Sequence, residues 1–521
     1  MRRLFLLLAM YGAINAIAYS CLLPLWEGFD EIYHYGYVQF LSANLRLPVL
    51  GPDAISQEVW HSLQFQPVSH YLLSFTGASL SFTDYFAKSP EERVRLRQQL
   101  ESIPAGDKFQ PQADKPNYEL NQSPLSYFLM AAIDRVLLGH PLPTRVLGVR
   151  LLSSLLAVLL IAHSTLLLAG ELRLPGAYCG AALFCIFSSQ MLYATLCHVC
   201  NDALAVALTG YLIWSSIRTA ESGTPRDCVW LGLAASAALL TKAYFLFLVP
   251  LAVGALGWAI WKKRANLRGA IYFIAPMVLL AGPWFVRNLV LYHDLSGTSQ
   301  KTAGVGPRQL LQAAIDLPWR EAIVSMAHGS LWTGNNSFTT FSAKTLDSML
   351  LLVAVALILY FVRARLQIPE WTIVAASFLF WIALLLVTLT FYAGSNRQVA
   401  GAEPWYAQVL LVPLMLLMFL GLSRAPRWGR ILGPLFVLLW GYVLMATYLI
   451  KLLPLYGGFP ASQRIGELWT RYFQQIGEMN AMLRTVSPAS PIMIWIFVGA
   501  AVVLSAALSL RLAAAISRPA R

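Results

Sequence analysis

Charge is scarce in this chain. Of its 521 residues only 12% are Asp, Glu, Lys or Arg, while 58% are hydrophobic, and mean hydropathy is +0.60. A soluble globular protein would carry about twice that charged fraction. The shortage excludes a soluble fold and leaves a polytopic membrane protein whose core is helix packed on helix. Acid is scarcer than base, with 25 Asp and Glu against 38 Lys and Arg, a net charge of +13. In a membrane chain that excess sets topology first, so it implies no nucleic-acid partner. Cysteine is also sparse. The six are scattered, mostly in apolar runs, which excludes a disulfide framework. Cys197-His198-Val199-Cys200 has CxxC spacing but lacks a second ligand pair, so it reads as two small apolar cysteines near a helix end ahead of a metal or redox site. No repeat of fixed period is evident. No small-residue cleavage site follows the apolar run 4–23 behind Arg2-Arg3, so that run reads as a retained span.

What the chain does have is about twelve apolar runs, most near the 17–25 residues a bilayer requires. They lie at 4–23, 149–169, 176–194, 203–217, 229–240, 244–261, 270–286, 349–362, 371–389, 406–422, 431–450 and 492–510. The run at 229–240 is short and open to extension through Thr241-Lys242. Alternating these spans from an inside N-terminus places Arg2-Arg3, Arg173, Arg218 with Arg226, Lys262-Lys263-Arg264 with Arg268, Arg363 with Arg365, Arg424 with Arg427 and Arg430, and the tail Arg511, Arg518 and Arg521 on the cytoplasmic side. Each such piece is short and basic, as the positive-inside rule requires. The long segments then fall outside: a first loop at 24–148, a fourth loop at 287–347, and a late segment at 451–491. Loops of that size are usually functional. Two stretches in the first loop have helical periodicity. The first, 30–45, carries Ile32, Tyr35, Val38, Gln39 and Leu45. The second, 124–138, carries Leu125, Phe128, Leu129, Ala132 and Val136. Because the second contains Asp134-Arg135, it is expected to lie in the outer leaflet and not to cross it. The charged, Gln/Pro-rich stretch 86–115 reads as a solvated excursion.

The chemistry-bearing residues gather at these outer boundaries. Asp30-Glu31 follows the first span directly, within Trp26-Glu27-Gly28-Phe29-Asp30-Glu31-Ile32-Tyr33-His34. Adjacent carboxylates at a bilayer boundary are costly unless solvated, paired or used. A carboxylate there can serve as general base toward a hydroxyl acceptor. The plain alternative is an Asp N-cap, which satisfies free backbone N–H groups. Four surrounding aromatics (Trp26, Phe29, Tyr33 and Tyr35) and the long loop favour chemistry. Glu119, just before Pro124, is a second outer carboxylate that can orient an acceptor or help hold a metal; the alternative is an ordinary loop residue. Arg150, Lys242 and Arg287 sit on the outer boundary against the positive-inside bias. The phosphate of a lipid carrier would explain them, with snorkelling or pairing to Asp202 or Asp294 as the alternative. Asn201-Asp202 opens the fourth span, where a carboxylate at a helix N-terminus is stabilised by the dipole. His34 and Tyr292 complete the supporting set.

Six stretches in order resemble the GT-C superfamily of membrane glycosyltransferases, in the branch of protein O-mannosyltransferases and lipid A aminoarabinose transferases. They are WEGFDEIYHYGYVQFLSANLRLP, YELNQSPLSYFL, RLLSSLLAVLL, NDALAVAL, LLTKAYFLFLVPLA and GPWFVRNLVLYHDLSG, spread from Trp26 to Gly297. The resemblance implies an all-α GT-C fold of about twelve transmembrane helices. It divides the chain into a catalytic module, 1–297, and a C-terminal module, 298–521, with outer loops 298–347 and 451–491. It implies inverting transfer of a hexosyl or pentosyl unit from a polyprenyl-phosphate sugar to an envelope glycan, lipid or protein, on the outer face of a bacterial inner membrane with both termini cytoplasmic. Asp30 matches the family's catalytic carboxylate and Glu31 its partner, while Arg150, Lys242 and Arg287 fall where the family places cations near the donor phosphate. No cofactor is required; a divalent metal is compatible. Two positions depart. Gln122-Ser123-Pro124 stands where the family often has His-Pro-Pro or Lys-Pro-Pro, and Glu403-Pro404-Trp405-Tyr406 where it often has Gly-Arg-Tyr, so sugar and acceptor stay open. The rival classes are a twelve-span secondary transporter or a flippase for a lipid-linked substrate, and a noncatalytic scaffold or receptor.

Overall fold

The computed structural model describes residues 2–297, 305–394, 404–459 and 465–518. Glu403, the start of the expected loop 298–347 and the tail residue Arg521 lie outside the described residues. Helix α1 (Arg2–Leu22) follows the first apolar run and stops where Pro24 disfavours a helical residue before it. In the first loop, helix α2 (Glu31–Asn44) and helix α3 (Leu125–Val136) match the two periodic stretches. Helix α4 (Leu142–Glu171) comes next, then the pair Gly176–Ser188 and Gln190–Leu196, bent by 57°. Helix α5 (Asp202–Ser222) is closed by Gly223 in the left-handed conformation, a usual helix end. Helix α6 (Pro225–Leu239) follows, started by the Thr224 side chain accepting from the Asp227 amide at 3.2 Å. Helices α7 (Ala243–Trp261) and α8 (Leu267–Tyr292) complete the first half.

Among the described residues ten helices are long and apolar enough to cross a membrane, or eleven if the bent pair counts as one span. The remaining expected run, 229–240, lies in α6, only 15 residues long. Helix α6 nevertheless runs back along α5. At one end the Thr219 hydroxyl donates to the Asp227 carbonyl at 3.2 Å, and at the other the Asn201 amide donates to the Thr241 carbonyl at 3.2 Å. The chain is an α-helical polytopic membrane protein. Among the described residues the departure from an all-helical reading is a two-stranded antiparallel ribbon of β1 (Ala54–Ser56) and β2 (Pro111–Pro116) with two isolated bridges.

The first loop is a folded cap. It carries its own apolar core, in which Trp26, Ile32, Tyr35 and Val38 meet Tyr127 and Met130 of α3 and Val146 and Val149 of α4. A buried charge network ties the cap to the bundle: Arg145 is fully enclosed, with Nη1 2.8 Å from Glu58 and Nε 3.0 Å from Asp134. The Tyr35 and Ser42 hydroxyls each donate to Asp134 at 2.6 Å. Helix α3 thus turns its polar residue inward and leaves Phe128, Leu129 and Val136 exposed. At 12 residues it is about 18 Å long, too short to cross a bilayer and arranged for one to lie against. The stretch 86–115 is more ordered than a solvated excursion. It contains helix Pro90–Glu101 and strand β2, and Arg97 donates to the Ser487 carbonyl at 3.0 Å. The late segment 451–491 folds largely as helix Ile465–Val486.

Candidate active site

The site is built on the turn between α1 and α2. Trp26 and Asp30 both have positive φ, 64° and 53°. Asp tolerates the left-handed region, but for Trp it is a strained conformation that surrounding contacts must hold. Asp30 occupies the N-cap position of α2, yet its side chain makes no cap bond. Instead its Oδ1 accepts a short hydrogen bond from the Tyr118 hydroxyl. Burial, then the negative charges of Asp30 and Glu119, push the Tyr118 hydroxyl's pKa up, so it stays protonated and donates. The Asp30 residue is half-buried.

Glu31 lies behind this turn and has a different fate. It is fully enclosed and gripped by Arg150, whose Nε donates to Oε1 at 2.7 Å while Nη2 donates to Oε2. The amides of Trp26 and Val199 also donate to Glu31, at 3.1 and 2.9 Å. Burial pushes its carboxyl up, but Arg150 and these donors outweigh burial and hold it below the usual range. Arg150 gives its remaining bonds to the carbonyls of Leu23 and Pro24 at 2.6 and 2.8 Å, with none of its side chain exposed. The outer-boundary arginine expected to grip a phosphate is instead the brace that fixes the end of α1 to Glu31.

Of the other two expected cations, Lys242 takes the alternative, pairing with Asp202, while Arg287 keeps one nitrogen without a protein partner. Lys242 is 2.5 Å from Asp202 and lies over the rings of Tyr406 and Tyr244, at 4.7 and 5.5 Å. Arg287 lies over Trp284 at 5.0 Å and Tyr292 at 5.9 Å, donates one bond to the Pro48 carbonyl, and keeps Nη1 buried without a protein partner. Between the two cations Gln122 takes two hydrogen bonds. The Tyr37 hydroxyl donates to the Gln122 carbonyl at 3.3 Å, and the Asn201 amide donates to Gln122 Oε1 at 3.2 Å. Burial raises the Tyr37 hydroxyl's pKa and the nearby Arg287 opposes it. Tyr37 stacks on Tyr127 at 4.0 Å, and the Tyr127 hydroxyl is 2.6 Å from His34 Nδ1, itself 3.8 Å from Glu119. The Leu50 amide donates to the Tyr292 hydroxyl at 3.1 Å.

The sequence reading missed Glu27, although it stands in the same motif. It is fully buried, and burial raises its carboxyl to about 7. Its Oε2 accepts from the Ser337 hydroxyl at 2.6 Å and the Tyr456 hydroxyl at 3.2 Å. It also missed Tyr118 and Asn335-Asn336; the paired asparagines in an outer loop were the available signal. Cys197 and Cys200 are both buried, the first directed at the Ala16 carbonyl and the second at that of Thr195. Among the described residues no group of three or more His, Cys, Asp or Glu is gathered to hold a metal ion.

Fold and site together define a polytopic α-helical membrane protein with a carboxylate–cation site at the end of its bundle that carries the folded cap. No family model matches the sequence, and no curated protein matches it. Among solved structures, the chain is similar to the crystal structure of ArnT from Cupriavidus metallidurans bound to undecaprenyl phosphate. Identity is 15% and the TM-score 0.40, over 91% of this chain and 75% of that one. For the apo structure of the same ArnT the values are 14%, 0.39, 92% and 74%.

Proposed function

We propose that this protein transfers a sugar from a polyprenyl-phosphate donor to an acceptor hydroxyl on the outer side of a bacterial inner membrane, with inversion. The observation that carries the reading is Asp30: a half-buried carboxylate on a strained turn, held by Tyr118 and not used as a helix cap. The donor class rests on the motif resemblance and on two cations set among aromatic rings at the same end of the bundle. Asp30 removes the proton from the acceptor hydroxyl as that oxygen attacks the anomeric carbon. The bond from that carbon to the phosphate oxygen breaks, and polyprenyl phosphate leaves as a stable anion that requires no strong acid. Arg287, with its unpartnered Nη1, and Lys242 stabilise the charge that builds on the phosphate. His34, Glu119, Asn201, Asp202 and Tyr292 orient the groups around them, Glu31 and Arg150 brace the turn, and no step requires a cofactor.

The test uses purified protein in lipid with a panel of polyprenyl-phosphate sugars and candidate glycan, lipid and protein acceptors. Release of free polyprenyl phosphate is followed by mass spectrometry. Wild type turns over one donor, and Asp30→Asn lowers that turnover by about 10²–10⁴-fold while donor binding persists. Equal turnover in both proteins moves the base to Glu119. No turnover or binding of any donor by folded wild type removes the reading in favour of transport.

A further inference from the structure

The turn that carries Asp30 is held from outside by the fourth loop. The Asn336 side-chain amide donates to two carbonyls at once, Trp26 at 3.0 Å and Gly28 at 2.9 Å. The Asn336 backbone amide donates to the Glu27 carbonyl at 2.9 Å, and the Ser337 hydroxyl to the Glu27 carboxyl at 2.6 Å. Asn335 anchors the same tripeptide to the bundle, accepting from the Tyr19 hydroxyl at 3.1 Å and donating to the Tyr456 hydroxyl at 3.1 Å. Asn335 and Asn336 are almost wholly enclosed. Four hydrogen bonds from three hundred residues away therefore close on the segment whose ends, Trp26 and Asp30, have positive φ. Backbone that strained persists only where its surroundings over-determine it, and here the fourth loop supplies much of that determination.

We propose that residues 335–337 form a clamp on the Asp30 turn, with Glu27 as the positioning residue at its centre, so that seating of the fourth loop sets the orientation of the catalytic carboxylate. The inference deepens the glycosyltransfer reading and rests on it only for its kinetic arm. The clamp has a built-in titration. Glu27 faces Tyr19 from the first span, Glu31 with Arg150 behind it from α2, Tyr456 from the helical span Pro426–Tyr456, and Ser337 from the loop; the carboxylate Glu31 raises it further. Its Oε1 is buried without a protein partner, as is Asn336 Oδ1. Ionising Glu27 puts charge into that enclosure, where Oε1 has no donor; the Ser337 and Tyr456 hydroxyls favour the charged form at Oε2 but burial outweighs them, so the clamped segment as a whole is most stable with Glu27 neutral and weakens as pH rises toward and past 7.

The experiment compares full-length wild type, Asn336→Ala, Ser337→Ala and Glu27→Gln in lipid, each checked for folding by thermal melting. Hydrogen exchange of peptides covering 24–33 reads the clamp directly. Asn336→Ala raises their exchange by about 10-fold or more, and Ser337→Ala by less. Turnover falls about 10-fold or more in Asn336→Ala with donor KM within about threefold, because a misplaced base lowers kcat and leaves binding intact. Glu27→Gln abolishes the part of the wild-type loss of turnover that sets in above pH 7, whatever its turnover at pH 6. Wild-type exchange at 24–33 in both Asn336→Ala and Ser337→Ala overturns the clamp, as does an unchanged pH profile in Glu27→Gln. If Asn336→Ala does not fold, Ser337→Ala alone decides the exchange result. Absence of donor turnover by wild type removes the glycosyltransfer reading but leaves the exchange result to decide the clamp.

Discussion

Two neighbouring carboxylates illustrate how environment separates roles. Asp30 has one hydroxyl partner and partial exposure, while Glu31 has four donors and none. Tyr118→Phe removes the donor that orients Asp30; a hydrogen bond to a charged group is worth about 1.5–3 kcal/mol, so turnover falls roughly 10–100-fold with donor affinity retained, measured by single-turnover kinetics. Arg150→Ala strands Glu31 in the interior and costs about 3–5 kcal/mol, read as a lowered melting temperature. Arg150→Lys does not restore it, because a lysine cannot reproduce the forked bonds. Glu27 sets the pH dependence of stability. Its carboxyl titrates near 7 in the folded protein against 4.5 in the free group. The folded state therefore binds more protons across that window, and stability falls as pH rises from about 4.5 through 7. The magnitude is on the order of 3 kcal/mol, and Glu27→Gln flattens it in melting curves recorded across that range.

At the scale of elements, the cap is positioned by packing and by one buried ionic cluster. Arg145 stands at the start of α4 and reaches Asp134 of α3 and Glu58, so one side chain ties two parts of the cap to the bundle. Arg145→Met leaves both carboxylates unpaired and lowers stability by about 3–5 kcal/mol, with early loss of the cap in limited proteolysis. The Asp30 turn also packs on the end of the bent helix pair. A methyl group built at Gly28 would lie 2.1 Å from His198 Cβ. Gly28→Ala therefore forces the turn away from residue 198 and lowers stability by about 1–3 kcal/mol or more, visible as a reduced melting temperature. It should also lower turnover, since Asp30 lies two residues on.

For the whole molecule, the short basic connections meet at the end opposite the cap. Arg218 lies 3.9 Å from Glu171 and 3.8 Å from Asp227, and Arg424 lies 2.7 Å from Glu370. That separation makes orientation testable. All six cysteines are buried and unpaired, so native labelling is low. Ser102→Cys, on the exposed helix of the cap, reacts with an impermeant maleimide on whole spheroplasts, whereas Lys262→Cys reacts only after the membrane is opened. The reverse pattern would turn the site toward the cytoplasm and remove the polyprenyl-phosphate reading of its outer face.

The sequence by itself determined what depends on local composition. Apolar runs of bilayer length specify helices, and periodicity in 30–45 and 124–138 specified α2 and α3 within a residue or two, because amphipathic spacing is a local property. Asp30, Lys242 and Arg287 stood out in the sequence because a charge at a membrane boundary demands a reason. Only the tertiary structure decided which charges are free. Arg150 and Arg287 look alike in the sequence, yet one is enclosed by Glu31 and two carbonyls and the other keeps an unpartnered nitrogen. Glu27 was silent for the same reason: its raised pKa and its bonds to Ser337 and Tyr456 arise from residues more than three hundred positions away. Pairing and desolvation are set by which distant segments meet, and that is decided by packing.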